Sequence, residues 1–350
     1  MNYNFSIRVS HNIYKSNFLC ISMVQDLKFI DLFAGIGGIR IGFEKHFGKC
    51  VFSSEWDKFA QITYQENFGH KPAGDITKIH ETLIPKFDIL LAGFPCQPFS
   101  NAGLKKGFED SRGTLFFDIA RIAKYHKPKV IFLENVKGFK NHNKGDTFNT
   151  VRLILEEMGY KIFHQVLNAR DFGVPQNRER IYIVAFLDDV DFSFPKPQNL
   201  NVKVGDILEK EVEEKYTISD KLWEGHQRRK IEHKSKGNGF GYSLFDNNSN
   251  YTSTISARYY KDGSEILINQ IGKNPRKVTP REAARLQGFP ENFKIPVSDN
   301  QAYKQFGNSV CVLVIDAIAN SIKESLEQFE SQKMIESVEI SSKKETYTEI

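Results

Sequence analysis

Four apolar runs separated by helix-compatible stretches constrain this chain more than any other feature. KFIDLF at 28–33 leads into a Gly-rich turn and a helix, and CVFSSEW at 50–56 leads into another. FDILLAGF at 87–94 precedes a longer helix, which is followed by KVIFLENV at 129–136. This order describes βαβ units, which need a largely parallel sheet with helices on both faces. Continuous runs such as Ile89-Leu90-Leu91-Ala92 and Val130-Ile131-Phe132-Leu133 suit strands buried on both sides. The expected class is therefore α/β, with a doubly wound, mostly parallel sheet. In such sheets the site lies beyond the carboxyl ends of the strands, so chemistry is sought there.

Ile181 to Phe186 reads as one more strand, and Phe194-Pro195-Lys196-Pro197 then breaks the pattern. Residues 27–195 are taken as the first domain and 196–280, richer in Asn, Gly and Lys with short irregular strands, as a smaller second one. Thr279-Pro280 looks like a helix start, and residues 281–324 are expected to return to the first domain. Residues 1–26 show no periodicity and no signal-peptide pattern, so they are expected to be a disordered extension, with Met23 as an alternative start. Residues 325–350, a charged tail without an apolar stripe, are expected to fray.

Composition narrows the partners only a little. Lys and Arg total 48 against 43 Asp and Glu, a net charge of +5 that permits a polyanionic partner without demanding one. The cysteines Cys20, Cys50, Cys96 and Cys311 form no CxxC pair, which argues against a zinc site or a disulfide framework, so no metal and a reducing cytoplasm are expected. No apolar run reaches the roughly 18 residues of a membrane span.

The strand ends carry the chemistry. Asp31-Leu32-Phe33-Ala34-Gly35-Ile36-Gly37-Gly38 sits where strand gives way to helix, and its glycines allow a tight turn and close approach to a ligand. GxGG replaces GxGxxG there, so no pyrophosphate cradle is evident. Glu55-Trp56 ends the second strand, where an acidic side chain in such folds holds ribose hydroxyls. A nucleoside without pyrophosphate is the expected ligand. Asp75-Ile76 could meet an adenine edge, although an Asp in a Gly-Asp turn more often caps. In Gly93-Phe94-Pro95-Cys96-Gln97-Pro98-Phe99-Ser100 two prolines hold a cysteine in a rigid loop, a poor setting for a packing residue. Glu134-Asn135-Val136 ends the neighbouring run, where an acid is costly to bury without a task. A thiol nucleophile beside a protonatable carboxyl is the pairing that attacks an electron-poor ring and protonates its nitrogen.

With these stretches, Gln176-Asn177-Arg178-Glu179-Arg180, and Gln301 to Val310 in order, the chain resembles the DNA (cytosine-5)-methyltransferases over roughly Phe29 to Ile322. It is similar to the short bacterial modification enzymes in particular. The resemblance implies S-adenosylmethionine as cofactor and a Rossmann-like fold with a smaller target-recognition domain at 196–280. It assigns Cys96 as the nucleophile on cytosine carbon 6 and Glu134 as the proton donor to N3. Arg180 would contact the cytosine and Glu134, and Arg178 would bind phosphate. Phe33, Gly35, Gly38, Glu55, Trp56, Asp75, Ile76, Pro95, Leu115, Asn308 and Ser309 match cofactor-lining positions. Ser100 to Arg112 matches the loop that closes over a flipped cytosine, with Ser100 against the DNA. Partners implied are double-stranded DNA and a companion restriction endonuclease acting on the same site, with the enzyme a cytoplasmic monomer. A tRNA-directed branch shares the Pro-Cys-Gln and Glu-Asn-Val motifs, but the length of 196–280 favours DNA.

Within 196–280, Gly237 to Tyr242 and Thr254 to Ile268 resemble the recognition region of methylases acting on the inner cytosine of CCWGG or CCNGG. Arg258 is expected to bind guanine in the major groove, and Lys230 and Lys234 to bind phosphate, against the plain alternative of a solvated basic face.

Overall fold

The computed structural model describes residues 24–95, 115–198, 200–239 and 241–348, of which 338–348 as backbone alone. Cys96 and Ser100, with the rest of the segment expected to close over the base, lie outside the described residues, as does Met23.

The apolar runs become strands at the expected places. The chain runs β1 (Phe29–Leu32), α1 (Gly38–Glu44), β2 (Cys50–Ser54), α2 (Lys58–Phe68), β3 (Ile89–Gly93), α3 (Leu115–His126), β4 (Val130–Val136), α4 (Asp146–Glu157), β5 (Lys161–Asn168) and β6 (Glu179–Phe186). It continues through α5 (Asp220–Ser235), β7 (Leu244–Phe245), β8 (Leu267–Ile268), β9 (Arg276–Lys277), α6 (Pro280–Leu286), α7 (Asp299–Asn308) and α8 (Val312–Thr348). The main sheet has the order β2-β1-β3-β4-β6-β5. Pairings among β1 to β4 are parallel, whereas β6 is antiparallel to both neighbours.

Alternation along the strands sends side chains to two cores. Phe29, Leu91, Phe132 and Val184 face Phe43 of α1 and Ile315, Ile318 and Ile322 of α8. Ile30, Leu90, Ile131 and Ile183 face Ile119 and Ile122 of α3 and Val151 and Leu155 of α4. Both faces are covered, as a doubly wound sheet requires. A third cluster joins Val204, Ile255, Tyr259 and Ile266 to Ala283, Leu286, Phe289 and Phe306 of the C-terminal part. Helices α6 and α7 pack with the second region through this cluster, which also takes Ile36 and Ala60 from the first; Lys294 N–H already donates to Asn67 Oδ1 of α2 (2.8 Å), and from Val310 the chain enters the core beneath the sheet.

One strand is unanticipated and three expectations need correction. β5 gave no sequence signal, because as an edge strand it mixes exposed and half-buried positions over most of its length. The second region holds a 16-residue helix, α5, begun by the Ser219 cap, rather than irregular strands alone. The charged tail does not fray at 325: α8 continues to Thr348, with Leu326 buried in the first core and Phe329 packed against it. Lys129–Glu330 (3.6 Å) and Lys333–Asp188 (3.5 Å) pin the same stretch. The amino-terminal extension ends earlier than 26, since Val24 is already a core residue. Among the described residues, no helix is long and apolar enough to cross a membrane.

Candidate active site

The carboxyl ends of β1 to β4 open on a cavity of about 710 Å³. The first turn after β1 is left-handed at Phe33, Gly35 and Gly37. At Gly37 a side chain would collide with the Phe68 ring, so glycine is required both for the turn and for the packing of α2 against it. Gly35 N–H donates to Glu55 Oε2 (2.8 Å), and Asp57 N–H donates to Glu55 Oε1 (2.7 Å). One buried carboxylate thus fixes the turn after β1 to the turn after β2. Burial raises the pKa of Glu55, and the two N–H donors oppose that rise.

Every cofactor position expected from the sequence borders this cavity: Phe33, Gly35, Gly38, Glu55, Trp56, Asp75, Ile76, Pro95, Leu115, Asn308 and Ser309. Trp56 is 78% exposed, leaving its indole face free at the rim. Asp75 serves also as the cap it could have been, since its Oδ1 accepts from Thr77 N–H (3.1 Å) and Thr77 Oγ1 (2.8 Å). Ser54 Oγ, buried on the same wall, has no hydrogen-bond partner in the protein. A cavity this large, with an indole face, a carboxylate and an orphaned hydroxyl, fits a nucleoside carrying an amino-acid chain.

On the opposite wall, β3 and β4 pair Gly93 with Glu134. Glu134 is 9% exposed, and Arg180 Nε approaches its Oε1 at 3.3 Å from β6. Burial raises the Glu134 pKa, while Arg180 and Arg178 pull it down more weakly. The carboxyl is thereby biased toward its protonated form, a hydrogen-bond donor aimed into the cavity wall. Asn135 Nδ2 donates to the Phe94 carbonyl (2.9 Å), tying the end of β4 to the start of the segment that leads through Pro95 to Cys96.

Arg178, expected to bind phosphate, is held by backbone carbonyls in this structure. It is 2% exposed, and its guanidinium donates to the carbonyls of Ile255 (3.2 Å), Gly307 (3.2 Å) and Ser309. Burial and the like charge of Arg180 pull its pKa down to about 9. Its two terminal nitrogens are committed to backbone acceptors, whereas the buried Nε has no hydrogen-bond partner.

The recognition residues stand apart from the cavity. Lys230 and Lys234 are exposed on α5, but the Lys230 ammonium lies 4.1 Å over the Tyr242 ring, which meets Trp223 edge-on at 4.7 Å. Arg258 is exposed in the turn that follows Ser256, whose Oγ accepts its N–H (3.1 Å). Sequence reasoning gave no role to Asp57, Lys304, Asn135 or Gln176. Only the last three fall inside matched motifs, and no local pattern shows which distant atoms they reach.

A doubly wound sheet whose strand ends enclose a nucleoside-sized cavity beside a buried carboxyl and arginine defines an S-adenosylmethionine-dependent methyltransferase. The chain belongs to the C-5 cytosine-specific DNA methylase family, whose model matches residues 27–324. It is 63% identical to the Type II methyltransferase M.NlaX of Neisseria lactamica over 311 residues, covering 88% of this chain and 99% of that protein. It is 62% identical to the Type II methyltransferase M.SsoII of Shigella sonnei over 306 residues, covering 86% of this chain and 81% of that one. A methyltransferase of Entamoeba histolytica, EhMeth, has the same fold, with a TM-score of 0.70 and 23% identity over 86% of this chain and 98% of its own. The protein is a DNA (cytosine-5) methyltransferase that uses S-adenosylmethionine.

Proposed function

We propose that this enzyme methylates the inner cytosine of CCWGG or CCNGG in duplex DNA through a covalent adduct on Cys96, as the modification arm of a restriction-modification system. The observation that carries the chemistry is the buried Glu134 carboxyl with Arg180 3.3 Å away, on the wall of the cavity that Pro95 also lines. Carbon 5 of cytosine is a poor nucleophile, so the ring needs activation. The Cys96 thiolate adds to carbon 6 of a flipped-out cytosine, forming the C–S bond, while Glu134 delivers its proton to N3. Arg180 orients the carboxyl and the ring oxygen beside it. S-adenosylmethionine, when bound, supplies the electrophilic methyl group. Once carbon 5 carries the methyl, its proton leaves to a solvent base, the C–S bond breaks to release Cys96 as thiolate, and N3 returns its proton to Glu134.

Glu55 holds the ribose side of the ligand, Trp56 covers the adenine face, and Asp75-Ile76 meet its edge. Arg258, exposed beyond the cavity, reads guanine, while Lys230 and Lys234 add salt-dependent phosphate binding. Activity alongside an endonuclease of the same specificity, as a monomer in the cytoplasm, completes the reading. A duplex with 5-fluorocytosine at the target should trap an adduct with the parent and none with Cys96→Ser, because fluorine cannot leave as a proton does. Near-parental turnover by Cys96→Ser would remove the nucleophile. Bisulfite sequencing of DNA from an expressing host should find the mark at the second C of CCWGG, or of CCNGG if the central base is unrestricted; marks confined to GCGC or GGCC would refute the target.

A further inference from the structure

Two stretches far apart in sequence meet backbone to backbone behind the cavity. At Gly307 there is no room for a side chain, because a Cβ would fall inside the main chain of Ser256 and Ala257. On one side of this seam the next residues are Asn308 and Ser309, which line the cofactor cavity. On the other side the next residue is Arg258, exposed and outward-facing. Arg178 bridges both halves at once, donating to Ile255 on the recognition side and to Gly307 and Ser309 on the cavity side.

The same joint is reinforced in the plane of the chain. Gln176 Oε1 accepts from Ile255 N–H (3.0 Å), and its Nε2 donates to the Leu286 carbonyl (2.8 Å). Thr254 Oγ1 donates to the Asn177 carbonyl (2.6 Å). A buried guanidinium with three fixed acceptors holds its partners in one geometry, because releasing any of them leaves a charged donor unsatisfied.

We propose that Arg178 is a positioning residue that acts through these carbonyls, holding the segment that carries Arg258 in fixed register with the segment that lines the cofactor cavity. Loosening the joint then weakens cofactor binding and blurs target discrimination together; because Arg178 also borders the cavity, the loss of discrimination is what separates the joint from a local effect on the cofactor. This rests on the reading that residues 254–258 face DNA.

The test uses the full-length Arg178→Lys variant, assayed well below its melting temperature, with the duplex the parent is found to methylate and one altered by a single base pair. Calorimetry with S-adenosylhomocysteine should show affinity lower by about tenfold, and the ratio of binding to the two duplexes should fall by about tenfold. The slope of log affinity against log salt should stay parental, since no phosphate contact is removed. A folded variant with parental cofactor affinity and parental discrimination overturns the proposal. So does a salt slope reduced by about one, which would put Arg178 on a phosphate. If Arg178→Lys does not fold, Thr254→Val carries the test: it should shift both quantities in the same direction by about threefold, and an unchanged pair overturns the proposal. Retained discrimination in Arg258→Ala, with both quantities still shifted in Arg178→Lys, would fault the assignment of Arg258 and leave the joint standing.

Discussion

Lys304 Nζ lies 2.7 Å from Asp57 Oδ2, joining α7 to the start of α2 across 247 residues of chain. Asp57 is a node: its N–H holds Glu55, its Oδ1 caps α2 through Phe59 N–H (2.9 Å) and Ala60 N–H (3.1 Å), and its Oδ2 takes the lysine. Both partners border the cofactor cavity, beside Trp56. Burial is the largest single influence on the Asp57 pKa and raises it, but the Lys304 ammonium and the capping N–H groups together outweigh it, so the net shift is downward.

Lys304→Met should therefore weaken S-adenosylmethionine binding by about two- to fivefold, the worth of a half-exposed ion pair. High salt should reproduce part of the loss in the parent and almost none in the variant. Calorimetry at two ionic strengths checks this, and equal salt sensitivity in both proteins would count against it.

Glu134→Gln should lower kcat by about 100-fold or more, because the amide keeps the shape but cannot pass a proton. Cofactor affinity should hold, whereas Glu55→Ala should lose it, leaving the Gly35 and Asp57 N–H groups without their acceptor. The pH profile gives a second check. Burial holds the Glu134 proton above the ordinary carboxylate value of 4.5, so activity dependent on that proton persists above 4.5 and declines as pH rises through the raised value. The Gln variant's residual rate should lack that decline.

Asp31 supplies a stability prediction. It is fully buried at the end of β1, neither oxygen has a hydrogen-bond partner, and burial raises its pKa to about 8. The folded protein thus binds a proton the unfolded chain releases near 3.8. Stability from this group is complete below that value and drains away as pH rises toward about 8. Asp31→Asn should gain on the parent over this window, by on the order of 5 °C in Tm. A melting-temperature difference independent of pH would show that Asp31 is charged in the fold.

At the amino terminus, a chain beginning at Met23 should match the full chain in Tm and activity, because the first core receives Val24 and Leu27 in either case. Val24→Ala should cost about 2 kcal/mol for its two lost methyl groups. Thermal unfolding of both proteins checks the pair; a loss of several degrees on starting at Met23 would place packing residues earlier in the chain.

The order of β1 to β4, the turn at Gly35 to Gly38 and the acid after Leu133 were legible because they depend on local periodicity and on short motifs. Apolar runs bounded by Gly and Pro specify buried parallel strands wherever they occur, and that alone puts Glu55, Pro95 and Glu134 at one edge of a sheet. What the sequence could not show were partners chosen by distant backbone. The edge strand β5 and the packed stretch of α8 around Leu326 and Phe329 become recognisable only once the surfaces they cover exist. Arg178 is the sharpest case. Its motif marks it as functional, but whether a guanidinium two residues from Arg180 faces phosphate or carbonyl oxygen depends on what lies behind it. Tertiary structure put the carbonyls of Ile255, Gly307 and Ser309 there, and burial favours a charged donor that finds such acceptors.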